Sequence, residues 1–172
     1  MMTLKRLQTK RSILLLCVCL MAVLAAFYFI LYWGAFRIKD LDADRAAQDL
    51  QAAAQAEEQI QMNVDTLSYD QDYLTLAGYV ILKGTATSPS AFQVVLRDTE
   101  SGSYYLLPTC QVERPDITGY INDGVDYTNS GFQVRLPFSK KLNPREHTYE
   151  AYVLWKLQDQ ELLIPLNTTV QE

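Results

Sequence analysis

The chain reads as an N-terminal single transmembrane helix plus a helical stalk, followed by an all-β antiparallel sandwich. Three observations predict that class. Residues 12–33 are 22 consecutive uncharged residues, about 33 Å long as a helix against a hydrocarbon core of about 30 Å. Residues 40–62, DLDADRAAQDLQAAAQAEEQIQM, lack Gly and Pro and are rich in Ala, Gln, Glu and Leu, a helix-forming composition. From Asn63 onward apolar and polar residues alternate, β-branched residues and tyrosines enter, and turn compositions recur, the pattern of short strands.

Charge divides the chain of 172 residues in the same place. The net charge is -5. Residues 1–39 carry six basic residues and no acidic one, whereas residues 40–172 carry 20 acidic and nine basic residues, a net of -11. An acidic C-terminal part argues against nucleic acid and anionic lipid surfaces as partners, because both repel it.

In chain order, residues 1–11 form a basic tail with Lys5, Arg6, Lys10 and Arg11. The positive-inside rule places this end in the cytoplasm and the remainder outside the cell membrane. The transmembrane helix is read as 12–35. A cleaved signal peptide would have an apolar region of roughly 7–15 residues ending in a small-x-small site. This run is longer and ends in bulky residues, with Phe27, Tyr28, Tyr32 and Trp33 forming an interfacial aromatic belt. An uncleaved anchor is therefore expected. Cys17 and Cys19 read as small packing residues within it. Cys110 is the one cysteine beyond it, so the outer part can form no internal disulfide.

The stalk is read as residues 36–62. Ala43, Ala46, Leu50, Ala53 and Ile60 follow a 3–4 spacing interrupted by Glu57. Such a seam suits either a solvated spacer or a helix that pairs with another helix.

The domain from 63 to 172 is read as seven strands: Val64–Tyr69, Tyr73–Lys83, Phe92–Asp98, Ser103–Leu107, Phe132–Phe138, Thr148–Leu157 and Glu161–Thr169. Gly78 is expected to bend the second of these. Gly84–Ser90, Asp98–Gly102, Asn122–Gly124, Asn143–Arg145 and Gln158–Gln160 supply turns. Alternation in Phe132, Val134, Leu136 and Phe138, and in Tyr149, Ala151, Val153 and Trp155, gives each of two strands one apolar face. Opposed sheets bury such faces.

Three short segments carry a resemblance: Gly78-Tyr79-Val80-Ile81-Leu82-Lys83-Gly84, Arg114-Pro115-Asp116-Ile117-Thr118 and Ser130-Gly131-Phe132. In this order, over roughly residues 64–170, the chain resembles the Ig-like extracellular β-sandwich module of membrane-anchored Gram-positive bacterial surface proteins. The resemblance implies an accessory surface module without established chemistry. In some such proteins the module is appended to a cell-envelope transferase; no transferase domain is read in these residues, so no role is carried over from a fused enzyme.

Candidate binding residues are Arg114, Asp116, Tyr120, Tyr127 and Phe132. Arg114 and Asp116 either tie down a long connection by ion pairing and hydrogen bonding or present a ligand surface on it. An exposed cluster near Tyr120 and Tyr127 could stack on sugar rings of a cell-wall polymer. Asn122-Asp123-Gly124-Val125-Asp126 has oxygens at calcium-like spacing but lacks the rest of an EF-hand loop, so a plain turn is expected. His147 is the single histidine. With no nucleophile elbow and no phosphate loop, no catalytic, metal or cofactor residue is assigned. The expected function is a non-enzymatic surface module that binds a protein partner or a cell-envelope polymer near the membrane. The alternative is a subunit of an envelope-assembly or secretion complex acting through its anchor and stalk. A third reading is a hydrolase using Asp116, Asp123 and Asp126 with a metal.

Overall fold

The computed structural model describes the backbone of residues 2–35, 37–70, 72–157 and 160–171, and side chains within these ranges for 14–31 and from 37 onward. The chain divides into an N-terminal unit that ends at Arg37 and a body that begins at Ile38. The first unit is one helix, α1 (Met2–Ala35), which continues through the basic tail. Its window Leu14–Leu31 has a mean hydropathy of 2.9, long and apolar enough to cross a membrane.

The body contains β1 (Lys39–Leu41), α2 (Ala43–Gln55), β2 (Ile60–Asp70), β3 (Tyr73–Leu82), β4 (Ser90–Asp98), β5 (Tyr104–Leu106), β6 (Cys110–Val112), α3 (Pro115–Ile121), β7 (Gly131–Pro137), β8 (Tyr149–Leu157) and β9 (Gln160–Val170). Two antiparallel sheets form, ordered β1-β5-β4-β8-β9 and β2-β3-β7-β6. All seven strands expected from alternation are present, with ends shifted by a few residues. β1 and β6, three residues each, are additions. The expected turn at Gln158-Asp159-Gln160 falls partly on 158–159, outside the described residues.

The inner faces interdigitate in one core. Leu74, Leu76 and Val80 of β3 and Val134 of β7 meet Val94 and Leu96 of β4 and Val153 of β8, all at or near zero exposure. Phe92 and Trp155 are paired across β4 and β8, and their rings stack at 6.3 Å. Gly78 serves this packing in a way that differs from the expected bend. It lies opposite Val64, where the β2 register slips, and opposite Phe132. A Cβ there would meet the Asn63 carbonyl oxygen at 2.2 Å and the Phe132 ring at 2.9 Å. The glycine admits its neighbours.

The stalk expectation is corrected. A helix does form between 36 and 62, but it occupies Ala43–Gln55 and lies on the body. Asp42 caps it, accepting a hydrogen bond from the Arg45 amide at 3.0 Å. Ala46 and Ala53 are buried, and Ala46 joins Leu41, Val95, Leu154 and Leu163 on the outer face of the five-stranded sheet. Residues 60–62 belong to β2. Of the 3–4 seam, Ala46, Leu50 and Ala53 face the body, where small alanines allow close approach to its apolar residues, whereas Ala43 is exposed and Ile60 lies in β2.

Candidate functional site

The connection from β6 to β7 forms α3, a short helix on the outer face of the four-stranded sheet. Pro115 opens it, where a missing amide costs nothing, and Asn122 closes it in the left-handed conformation at φ 50°. Ile117 points inward at 5% exposure and packs with Tyr79, Ile81 and Tyr127. This gives the four-stranded sheet an apolar outer patch beneath α3.

Arg114 fastens the start of the helix. Its Nε donates to both Asp116 carboxylate oxygens at 3.0 and 3.2 Å, and one terminal nitrogen donates to Asp116 Oδ2 at 2.8 Å. The other terminal nitrogen donates to Asp65 on β2. The guanidinium lies 5.4 Å from the Tyr79 ring centroid, and the Arg114 amide donates to the Thr128 carbonyl. Hydrogen bonding to Asp116 leads the causes that raise Arg114 above its ordinary value. The same contact holds the Asp116 carboxyl below the usual carboxylate range. Gly131 completes the fit, since a Cβ would meet the Val112 carbonyl oxygen at 2.5 Å and Arg114 Cγ at 2.8 Å. The expected Arg114–Asp116 ion pair is therefore present, and Asp65 and Tyr79 join it. Sequence reading missed these two because they stand on strands some 35 to 50 positions earlier.

Tyr127 and Phe132 do not form a surface, which corrects two candidates. Tyr127 has no exposure. Its hydroxyl donates to Asp123 Oδ2 at 2.6 Å and accepts from the Gly84 amide at 2.7 Å. Burial, then the hydrogen bond to Asp123, raises its hydroxyl above the ordinary value. Phe132 is 1% exposed in the core between the sheets, where the alternation of its strand places it. Tyr120 stands alone as the expected exposed aromatic, at 75% exposure on α3.

The acidic loop after α3 is knitted internally. Asp123 Oδ1 accepts from the Val125 amide at 3.0 Å. Asp126 Oδ1 accepts from the Thr128 amide at 2.9 Å, and the Asp126 carbonyl accepts from the Thr87 amide at 3.1 Å. The Thr118 hydroxyl accepts from the Tyr127 amide at 2.9 Å. These are turn-closing bonds. Among the described residues no group of three or more His, Cys, Asp or Glu is arranged to hold a metal ion.

A concavity of about 510 Å³ lies beside α2, lined by Leu50, Ala53, Ile60, Met62, Ile164 and Pro165 among others. None of the five candidate residues reaches it. No protein-family model, curated protein or solved structure matches the chain.

Proposed function

We propose that this chain is a single-pass membrane protein with its N-terminus in the cytoplasm and an Ig-like sandwich outside the cell, acting by binding and not by catalysis. The observation that carries this reading is the uninterrupted apolar helix, with mean hydropathy 2.9 over Leu14–Leu31, joined to an acidic body through a single connection. The basic residues before the apolar run support the orientation.

Strand order supports the Ig-like reading. With β5 set aside as an extra strand beside C and the others lettered in chain order from β2, the four-stranded sheet runs A-B-E-D, and β4-β8-β9 run C-F-G. Tyr149, at the start of the F-equivalent strand, accepts a hydrogen bond on its hydroxyl from the Asn143 amide at 3.1 Å, as in the tyrosine corner of that fold. Two residues on, where disulfide-bridged antibody domains carry a cysteine, this chain has Ala151.

The partner is an envelope protein or wall polymer that meets the face of the sandwich bearing α3. Tyr120 offers its ring there, on a helix held by Arg114 and Ile117, and rigid presentation lowers the entropic cost of contact. Protease added to intact cells should digest the body and spare α1. A body that resists protease until cells are lysed overturns the topology. Tyr120→Ala should lower capture of envelope material by the purified full chain without lowering its melting temperature. Unchanged capture removes α3 as the contact.

A further inference from the structure

Residues 38–59 lie between the apolar helix and the sandwich, and they are attached differently from the rest of the body. Among the described residues, the fully buried core between the sheets is filled from the strands and their loops, with Ala53 the one contribution of α2. Beyond this, Ile38, Ala52 and Ala56 pack half-buried against the core and Leu50 packs beside Ala46, and the remaining contacts are small or short. β1 pairs over three residues with β5, itself three residues long. Leu41 and Ala46 cover Val95, Leu154 and Leu163. Of two ion pairs that reach the body, Lys141 with Asp40 at 2.7 Å is open to solvent, where such pairs contribute little, and Arg45 with Glu161 is half-exposed on the arginine side.

Within the contact sits a group that opposes it. The Asp49 side chain is 13% exposed, and its Oδ2 is buried without a hydrogen-bond partner. The Arg45 Nε stands 3.9 Å away, beyond hydrogen-bond reach. A buried carboxylate oxygen without a donor destabilises the state that buries it. Releasing α2 would return that oxygen to water.

We propose that residues 38–59 are a releasable strap. In the docked state α2 and β1 lie on the five-stranded sheet. In the released state they leave it while β2 to β9 keep their fold, and the outer face formed by Val95, Leu154 and Leu163 is uncovered. The two antiparallel sheets retain β5-β4-β8-β9 and β2-β3-β7-β6 without the strap, so the sandwich keeps its core. Release turns 22 residues of packed chain into tether, spanning at most roughly 70–80 Å when extended. This gain in reach rests on the membrane-anchor reading; the strap itself does not.

Hydrogen–deuterium exchange of the full chain in detergent micelles tests the strap. Amides of α2 should exchange at least about 100-fold faster than those of β8, as expected for local opening against global unfolding. Asp49→Leu should slow the α2 amides about tenfold and leave β8 unchanged. Ala46→Asp should strip protection from α2 alone. The proposal is overturned if α2 and β8 exchange together, if Asp49→Leu leaves α2 exchange unchanged, or if Ala46→Asp removes protection from β3, β4 and β8. Alkaline carbonate extraction of the same chain from membranes tests the anchor separately.

Discussion

Each sheet of the sandwich has a helix on its outer face, and the two helices are fastened by different physics. Under α3 lie large side chains, Tyr79, Ile81 and Tyr127, and the polar groups around them find partners: Arg114 with Asp65 and Asp116, the Tyr127 hydroxyl with Asp123 and Gly84. Under α2 the helix offers alanines, and Asp49 keeps a buried oxygen without a donor. α3 has seven residues and α2 has 13, and by this contrast the shorter helix is expected to be the more firmly held. Helix length then counts for less than large apolar side chains beneath a helix and the pairing of each desolvated polar atom.

The largest effect is expected at Tyr127. Tyr127→Ala removes a fully buried ring and leaves Asp123 and the Gly84 amide without their partner, and it should destabilise the body by about 4 kcal/mol. Equilibrium denaturation of the full chain in micelles measures it. A loss no greater than that of an ordinary surface substitution would show that the α3 patch is not the firmer of the two.

Arg114 comes next. Arg114→Ala deletes the fork to Asp116, the bond to Asp65 and the contact with the Tyr79 ring, for about 2 kcal/mol. Arg114→Lys should recover little of it, because an ammonium cannot reproduce the bidentate fork. Full recovery by lysine would reduce the attachment to charge alone.

The smallest effect sharpens the comparison by sign. Asp116 is held below the usual carboxylate range by its hydrogen bonds from Arg114. Its contribution is therefore present above the unfolded value of about 3.9 and lost as pH falls through the lower folded value. Asp49 is raised, first by burial and then by the charge of Glu161. Its contribution is in place below about 3.9 and lost as pH climbs through the raised value. Glu161, which also faces α2, is lowered overall; burial pushes it up, but hydrogen bonds from Arg45 and Lys156 outweigh that. Acid thus loosens α3, while α2 feels two opposed changes. In a methyl NMR titration from pH 6 to about 3, Ile117 on α3 should shift more than Ala46 on α2. The reverse order would contradict this assignment of charges.

The contrast between the helices also explains what the sequence made legible. Strand alternation is a local signal with one physical cause, burial of every second side chain, and β3, β4, β7, β8 and β9 were readable from it to within two residues at each end. Phe132 was readable in the same way: its place in the Phe132, Val134, Leu136 alternation marks a core position. The short helix α3 also left marks, with Pro115 at its first position, Ile117 and Ile121 four apart, and Asn122 at its end. The target of α2 was not readable. Spacing of Ala46, Leu50 and Ala53 shows that a helix has an apolar side, and says nothing about whether a sheet or another helix covers it. Likewise Arg114 and Asp116 could be paired from proximity in the chain, whereas Asp65 and Tyr79 reach Arg114 through the pairing of β2 with β3, a relation that only the folded sheet creates.

β6 is a boundary strand of the four-stranded sheet, and Cys110 on it is exposed. The remaining two cysteines, Cys17 and Cys19, lie in the apolar helix. The unmodified molecule thus carries its own sidedness reporter: a bulky, charged maleimide that cannot enter a bilayer has one sulfur on the body to alkylate, and the adduct appears from intact cells or only after they are opened.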